Sequence, residues 1–265
     1  MTTPVQRWLF GKDVYRVQER RIRPSEYEVA SVPDATARAF IEEHHYSGTY
    51  PAARLRFGLF RHGSLVGVAV YSHPVNDAVF RCLPGAAREN LELGRFVLLE
   101  DVPANGESWF IARTFKVLRS SGFLGVVAFS DPMRRRSHSG DLVLGGHVGT
   151  IYQATNACYR GRSTPRTLRL LPDGQVLSPR ALQKLRAGES GWRYVAAMLE
   201  SHGAAPLSSP AEVLPWLARW LPRVTVPVRH PGCHKYAWTL NPRHRHHLGV
   251  SLPYPKALGG TGVTP

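Results

Sequence analysis

The run Phe123 to Phe129, Phe-Leu-Gly-Val-Val-Ala-Phe, offers no polar side chain to water, so it reads as a strand buried on both faces. Such a strand needs cover on either side, which points to an α/β fold. Gly122 precedes it, and it delivers Ser130-Asp131-Pro132 at its far end. In open sheets a carboxylate at that end of a central strand stands near the ligand crevice. Asp131 there can take a proton from an amine, bind a metal, or simply start an Asp-Pro turn.

The elements around this strand follow from periodicity. Tyr27 to Val32 reads as a short strand, and Pro33-Asp34 opens a helix to about His45 with Ala37, Phe40, Ile41 and His44 on one face. Leu55 to Arg61 and Ser64 to Ser72 form a hairpin turned at His62-Gly63. Glu92 to Leu99 is a strand, Val102 to Gly106 a loop, and Glu107 to about Ser120 a helix with Ile111, Phe115 and Leu118 facing the core. A short helix from about Val148 to Asn156 and a strand near Thr167 to Leu171 complete the order β, α, β, β, β, α, β, α, β. Beyond Leu171 come helices over Pro179 to Ala187, Gly191 to His202 and Pro210 to Trp220. The expected division is a basic N-terminal arm at 1–26, an α/β domain at 27–171, and a helical, basic C-terminal extension at 172–265.

Lys and Arg number 34 against 19 Asp and Glu, a formal charge of +15. An excess of that size implies a polyanion, because arginines on backbone phosphates release condensed counterions. No stretch approaches the roughly 20 continuous apolar residues of a membrane span, and Met1 to Leu9 lacks a signal peptide's apolar run. Cys82, Cys158 and Cys233 are too scattered for a disulfide framework. A cytoplasmic protein with no membrane partner is expected.

The strand-loop-helix from Leu91 to Leu118 suits an anion, since a helix N-terminus presents unpaired amides and the positive end of its dipole. Asn105, Gly106 and Ser108 would lie in that turn. Glu107 sets a carboxylate where a phosphate would go, and no Walker or dinucleotide motif occurs in the chain.

At Leu93-Gly94-Arg95-Phe96-Val97, Asn105-Gly106-Glu107-Ser108, Phe129-Ser130-Asp131 and Gly149-Thr150-Ile151-Tyr152 the sequence resembles the phage Mom DNA-modification family, within the acetyltransferase-like (GNAT) fold. His44-His45-Tyr46-Ser47-Gly48 and Cys158-Tyr159-Arg160-Gly161 fit the same pattern, and the likeness covers roughly Glu28 to Leu171. The resemblance implies a mixed central sheet flanked by helices. It also implies an enzyme that places a carbamoylmethyl group on the exocyclic amine of adenine in phage DNA, shielding it from host restriction. The compartment would then be the cytoplasm of the infected cell. Acetyl-CoA or a related acyl-CoA would sit against Phe96, Val97, Asn105, Gly106 and Ser108, although Ala104-Asn105-Gly106-Glu107-Ser108 departs from the usual glycine signature. A tyrosine at the position of Tyr152 would act as general acid.

The residues themselves add detail. Arg95, in a buried strand, needs a carboxylate or a ligand anion to face it. Glu92, three positions away, is expected on the opposite face of the pleat. Tyr46, in a cluster with His45 and Ser47, suits stacking on a base brought out of the duplex. The expected catalytic set is Tyr46, Ser47, Arg95, Asp131 and Tyr152. Contacts to double-stranded DNA fall to His45, Arg134, Arg135, Arg136, Arg243 and Arg245, with Tyr236 and Trp238 nearby for stacking. His44, His45, Asp131, His138 and His147 lack metal-ligand spacing, so no metal is expected. Two rivals stay open: a conventional acyl-CoA-dependent N-acyltransferase and a non-catalytic DNA-binding protein. The oligomeric state is also open, a homodimer among the options.

Overall fold

The computed structural model describes residues 3–9, 12–18, 20–74 and 76–256, with side chains from residue 20 onward. It divides into two compact units, 1–132 with 146–163 and 233–265, and 133–145 with 164–232. Among the described residues no helix is long and apolar enough to cross a membrane.

The first unit opens on a hairpin, β1 (Thr3–Leu9) against β2 (Lys12–Gln18), within the expected basic N-terminal arm. Its basic side chains Arg7, Lys12 and Arg16 lie outside the described ones. Then come β3 (Tyr27–Ser31), α1 (Asp34–His44), β4 (Ala53–Arg61), β5 (Ser64–Ser72), β6 (Asn90–Leu98), α2 (Gly106–Ser120) and β7 (Gly125–Ser130). The β4–β5 turn holds His62 and Gly63 at φ +50° and +81°, as a tight hairpin of this twist requires. After the second unit's first segment the chain adds α3 (Thr150–Gln153) and β10 (Cys158–Arg162), and it returns from that unit as β14 (His234–Thr239).

These strands make one sheet in the order β10-β14-β7-β6-β5-β4-β3, antiparallel throughout except for the pair β6–β7. On one face α1 lays Ala37, Phe40 and Ile41 over Val68, Val70 and Val97. On the other, α2 sets Phe110, Ile111 and Leu118 against Leu91, Leu93, Leu98, Val126 and Ala128. The apolar run therefore is a strand covered on both sides. A mixed sheet with one parallel pair and helices on either face is the acetyltransferase-like plan that the resemblance implies.

The expected helical extension also holds three strands, Val176–Leu177, Val226–His230 and β14. β14 comes from far along the chain and inserts between β10 and β7, with Tyr236 and Trp238 pointing into the core. These rings are 0% and 6% exposed, so they are not free to stack on DNA as expected; alternation, the ordinary sign of a half-buried strand, is what His234, Tyr236 and Trp238 display.

The second unit has its own core. β11 (Arg166–Leu170) lies between β12 (Val176–Leu177) and β13 (Val226–His230). Helices α4 (Pro179–Ala187), α5 (Trp192–Glu200) and α6 (Val213–Val224) gather Leu182, Leu185, Val195, Leu199, Trp216 and Leu221 around Leu171 and Leu177. A small ladder, β8 (Arg135–Arg136) with β9 (Leu142–Leu144), belongs to the same unit.

Candidate active site

Strands β6 and β7 pair only from Asn90 to Leu93 and from Gly125 to Ala128. The parting begins at a bulge. Val70 opposes Arg95 while Tyr71 opposes Leu93, so Gly94 is an extra residue in β6. A side chain does not fit there, since a Cβ on Gly94 would stand 2.7 Å from Ser72 Oγ.

The bulge reverses the parity of the strand. Leu91 and Leu93 before it, and Phe96 and Leu98 after it, pack into the same core, which leaves Glu92 and Arg95 together on the other face. The expectation that Glu92 points away from Arg95 is thus corrected, because counting by twos holds only in a regular pleat. Burial raises the Glu92 carboxyl, with Arg95 and His73 pulling it back. Burial lowers the Arg95 guanidinium, opposed by Tyr46, Glu92 and Tyr152.

Arg95 is anchored through three donors: Nε to Thr49 O at 2.8 Å, one terminal nitrogen to Thr49 Oγ1 at 2.7 Å, and the other to Gly94 O at 2.6 Å. Thr49 Oγ1 in turn donates to Ser47 Oγ at 3.3 Å, and Ser47 Oγ lies 2.9 Å from His45 Nδ1. The Ser47 backbone N–H also donates to that nitrogen, so Nδ1 is an acceptor and the neutral ring carries its proton on Nε2. Ser47, expected to take part in chemistry, is held between Thr49 and His45 by these hydrogen bonds. His45, expected to touch DNA, is only 8% exposed with Tyr46 stacked 4.2 Å from it, so it cannot reach a phosphate backbone. Its pKa is driven well down by burial and by Arg95 and His147.

From β7 come Ser130 and Asp131, and the Asp131 carbonyl accepts the His147 backbone N–H at 2.8 Å. The His147 ring stands edge-on to Tyr46 at 6.3 Å. Burial holds its pKa down to about 4, with Asp131 raising and His234 lowering it. Tyr152, on α3, packs on Tyr236 and Trp238 at 5.4 and 5.6 Å. Burial, then Tyr46, Glu92, Tyr71 and Tyr236, push its phenol far above the ordinary range, so it keeps its proton. Tyr46, Arg95 and Tyr152, expected from sequence, are therefore brought together, and Asp131 stands beside His147. Glu92, Thr49 and His147 join them.

The N-terminus of α2 is different. Ala104 is bridged to Arg21: its carbonyl accepts from Ile22 N at 2.9 Å and its amide donates to Arg20 O at 3.0 Å. Gly106 is buried, and a Cβ there would stand 2.5 Å from Val102 Cγ1. The Gly106 amide is spent on Pro103 O, and Ser108 Oγ donates to Asn105 O. With Glu107 in the first turn, this end does not fit a coenzyme pyrophosphate. Phe96 leans on Phe110 at 5.6 Å and Val97 lies under α1, so both side chains serve packing.

Arg134, Arg135 and Arg136 belong to the second unit, Arg134 and Arg136 being exposed. Arg243 and Arg245 stand exposed on a 3-10 turn, Pro242–Leu248. Among the described residues no three His, Cys, Asp or Glu side chains are close enough together to hold a metal ion.

The buried histidines make stability pH-dependent. Unfolded, each takes a proton near pH 6.5; folded, His147 resists to about 4, so the unfolded state binds more protons between these limits. Stability is lost as pH falls through that window, by about 1.4 kcal/mol per pH unit for a fully buried histidine, with Glu92 offsetting part. Urea unfolding at pH 7 and pH 5 is expected to show a loss of about 2 kcal/mol that shrinks in His147→Gln. Equal stability at both pH values would contradict the neutral-histidine assignment.

The model of the Mom protein family matches residues 26–210. The methylcarbamoylase mom of Escherichia phage Mu is 30% identical over 141 residues, 51% of this chain and 54% of that protein. The chain thus spans about half the length of that relative. Among solved structures, a tandem GNAT protein from the clavulanic acid biosynthesis pathway aligns at 10% identity and TM-score 0.43, over 82% of this chain and 99% of that one. An N-acetyltransferase from Staphylococcus aureus Mu50 aligns at 11% identity and TM-score 0.36, over 81% and 99%.

Proposed function

The chain belongs to the Mom protein family, and on that premise we propose that it modifies DNA by placing a carbamoylmethyl-type group on the exocyclic amine of adenine, protecting phage DNA from host restriction. The observation that carries this reading is the meeting of Tyr46, Glu92, Arg95 and Tyr152, with neutral His45 alongside, where β6 and β7 part, and of Asp131 with neutral His147 at the end of β7. All of these residues fall within the segment that the family model matches.

In the proposed reaction the adenine is flipped from the stack and its ring lies against Tyr46, a half-buried aromatic. The amine forms an N–C bond to the methylene carbon of the donor, the leaving group departs with the bonding electrons, and the amine's proton passes to the Asp131 carboxylate. Arg95 has two further guanidinium N–H groups beyond its three internal bonds, which suits an anionic part of the donor. Tyr152, keeping its proton, donates a hydrogen bond to developing negative charge. No step runs through a coenzyme A, because the α2 terminus does not fit one; this also disfavours the conventional acyltransferase. The exposed Arg243 and Arg245 supply sequence-independent contact to duplex phosphates.

Nucleosides from plasmid DNA co-expressed with the protein are expected to contain an adenosine heavier by a carbamoylmethyl group in mass spectrometry. Unmodified DNA from cells holding the folded protein would sink this reading. Tight DNA binding without product would favour the non-catalytic rival.

A further inference from the structure

Two polar atoms near the site have no visible employment. Ser130 closes β7 and His234 opens β14, and the two are direct partners across the sheet. Partners in an antiparallel pair share a face, here the face of Ala128, Tyr236 and Trp238. Ser130 is 0% and His234 2% exposed, yet Ser130 Oγ and His234 Nε2 are buried without a hydrogen-bond partner among the described residues. Native structures rarely leave such groups orphaned unless a ligand or water meets them.

Their surroundings tie them to the site. A Cβ on Gly149 would stand 3.0 Å from Ser130 Oγ, 2.9 Å from the Tyr152 ring and 2.7 Å from the Tyr236 ring, so these three groups crowd around one point of backbone. A proton on His234 would lower the pKa of His147, so the two rings lie near one another. On its other side the imidazole is fixed by Tyr159, whose hydroxyl lies 2.7 Å from Nδ1. Ser130 thus stands beside the Tyr152 ring, and an oriented ring nitrogen stands opposite it.

Resting on the reading above, we propose that Ser130 Oγ and His234 Nε2 together receive the primary carboxamide of the group being transferred. A hydroxyl that both donates and accepts, beside one ring nitrogen, matches a planar group carrying a carbonyl oxygen and an N–H donor. Burial, with Arg162 adding to it, lowers the His234 pKa, so the ring is neutral and favours an amide over a carboxylate. One half of this receptor lies outside residues 26–210, the segment matched to the family.

The test uses the full chain in two ways. In co-expression, Ser130→Ala and His234→Asn, the second keeping an amide near the Tyr159 contact but deleting Nε2, are expected to lower the modified adenosine at least tenfold at unchanged melting temperature. His234→Gln, which reaches toward the Nε2 position, is expected to recover part of it. Separately, the wild-type protein with 15N-labelled histidine is titrated with acetamide and with acetate. Acetamide is expected to shift the His234 ring resonances and acetate to leave them in place. Wild-type levels of product in both variants overturn the proposal, as does a titration in which acetamide causes no shift or acetate an equal one. Should the wild-type protein make no modified adenosine, the functional reading fails while the titration still decides the receptor. Should product form without an acetamide response, the receptor alone fails.

Discussion

Replacing Arg95 with lysine is expected to cut adenine modification by about a hundredfold or more while the protein remains folded. Lysine keeps the charge, so the loss isolates geometry. The guanidinium reaches Thr49 O, Thr49 Oγ1 and Gly94 O in three directions from one rigid plane. An ammonium is a point donor on a flexible stem and cannot span all three. Without it Thr49 is released, Ser47 loses the Thr49 hydroxyl, and the hydrogen bonds that orient His45 loosen. A displacement of about 1 Å among reacting groups is enough for a loss of that order. Nucleoside mass spectrometry gives the yield and thermal melting the fold; a lysine variant near wild-type yield would remove Arg95 from the chemistry.

Gly149→Ala is expected to cost about 2–5 kcal/mol together with most of the activity. Two penalties add. The residue sits at φ +71°, where an L side chain costs about 1–2 kcal/mol. Its Cβ would also fall between 2.7 and 3.0 Å from Tyr236, Tyr152 and Ser130, and overpacking of this kind costs about 1–3 kcal/mol. Gly122→Ala is the control, because Gly122 has φ +86° with nothing within 4 Å and so pays only the backbone part. Urea midpoints for the two variants should differ, and equal values would mean that the ring cluster yields easily.

Much of the fold was legible because its signals are local. The Phe123 to Phe129 run, the His62-Gly63 turn and the apolar face of Gly106–Ser120 each depend on neighbours within a turn or a pleat. Tyr46 and Asp131 were nameable because they follow such elements, Arg95 because a charge in a buried strand needs a partner, and Tyr152 through the family resemblance. Glu92 was misplaced because one inserted glycine changes which way every earlier side chain in the strand points. β14 was missed for a different reason: its partners Gly125 to Ser130 lie more than a hundred positions earlier, and its aromatic residues read equally well as surface stacking groups. The use of Arg20 and Ile22 against Ala104 left no local trace at all, being backbone hydrogen bonding that almost any sequence can make.

The insertion of β14 also fixes a schedule for the protein's synthesis. Until the ribosome has delivered His234–Thr239, β7 is an unpaired edge bearing Val126, Val127 and Ala128, the kind of strand that recruits stray partners. Joining residues so distant in the chain is entropically slow, so the closing of the sheet belongs among the last steps of folding. The same step brings His234 to Ser130 and seats Tyr236 against Tyr152. A nascent chain carrying every residue from Tyr46 to Tyr152 thus still lacks the strand that completes this cluster, which closes only once Thr239 has been added.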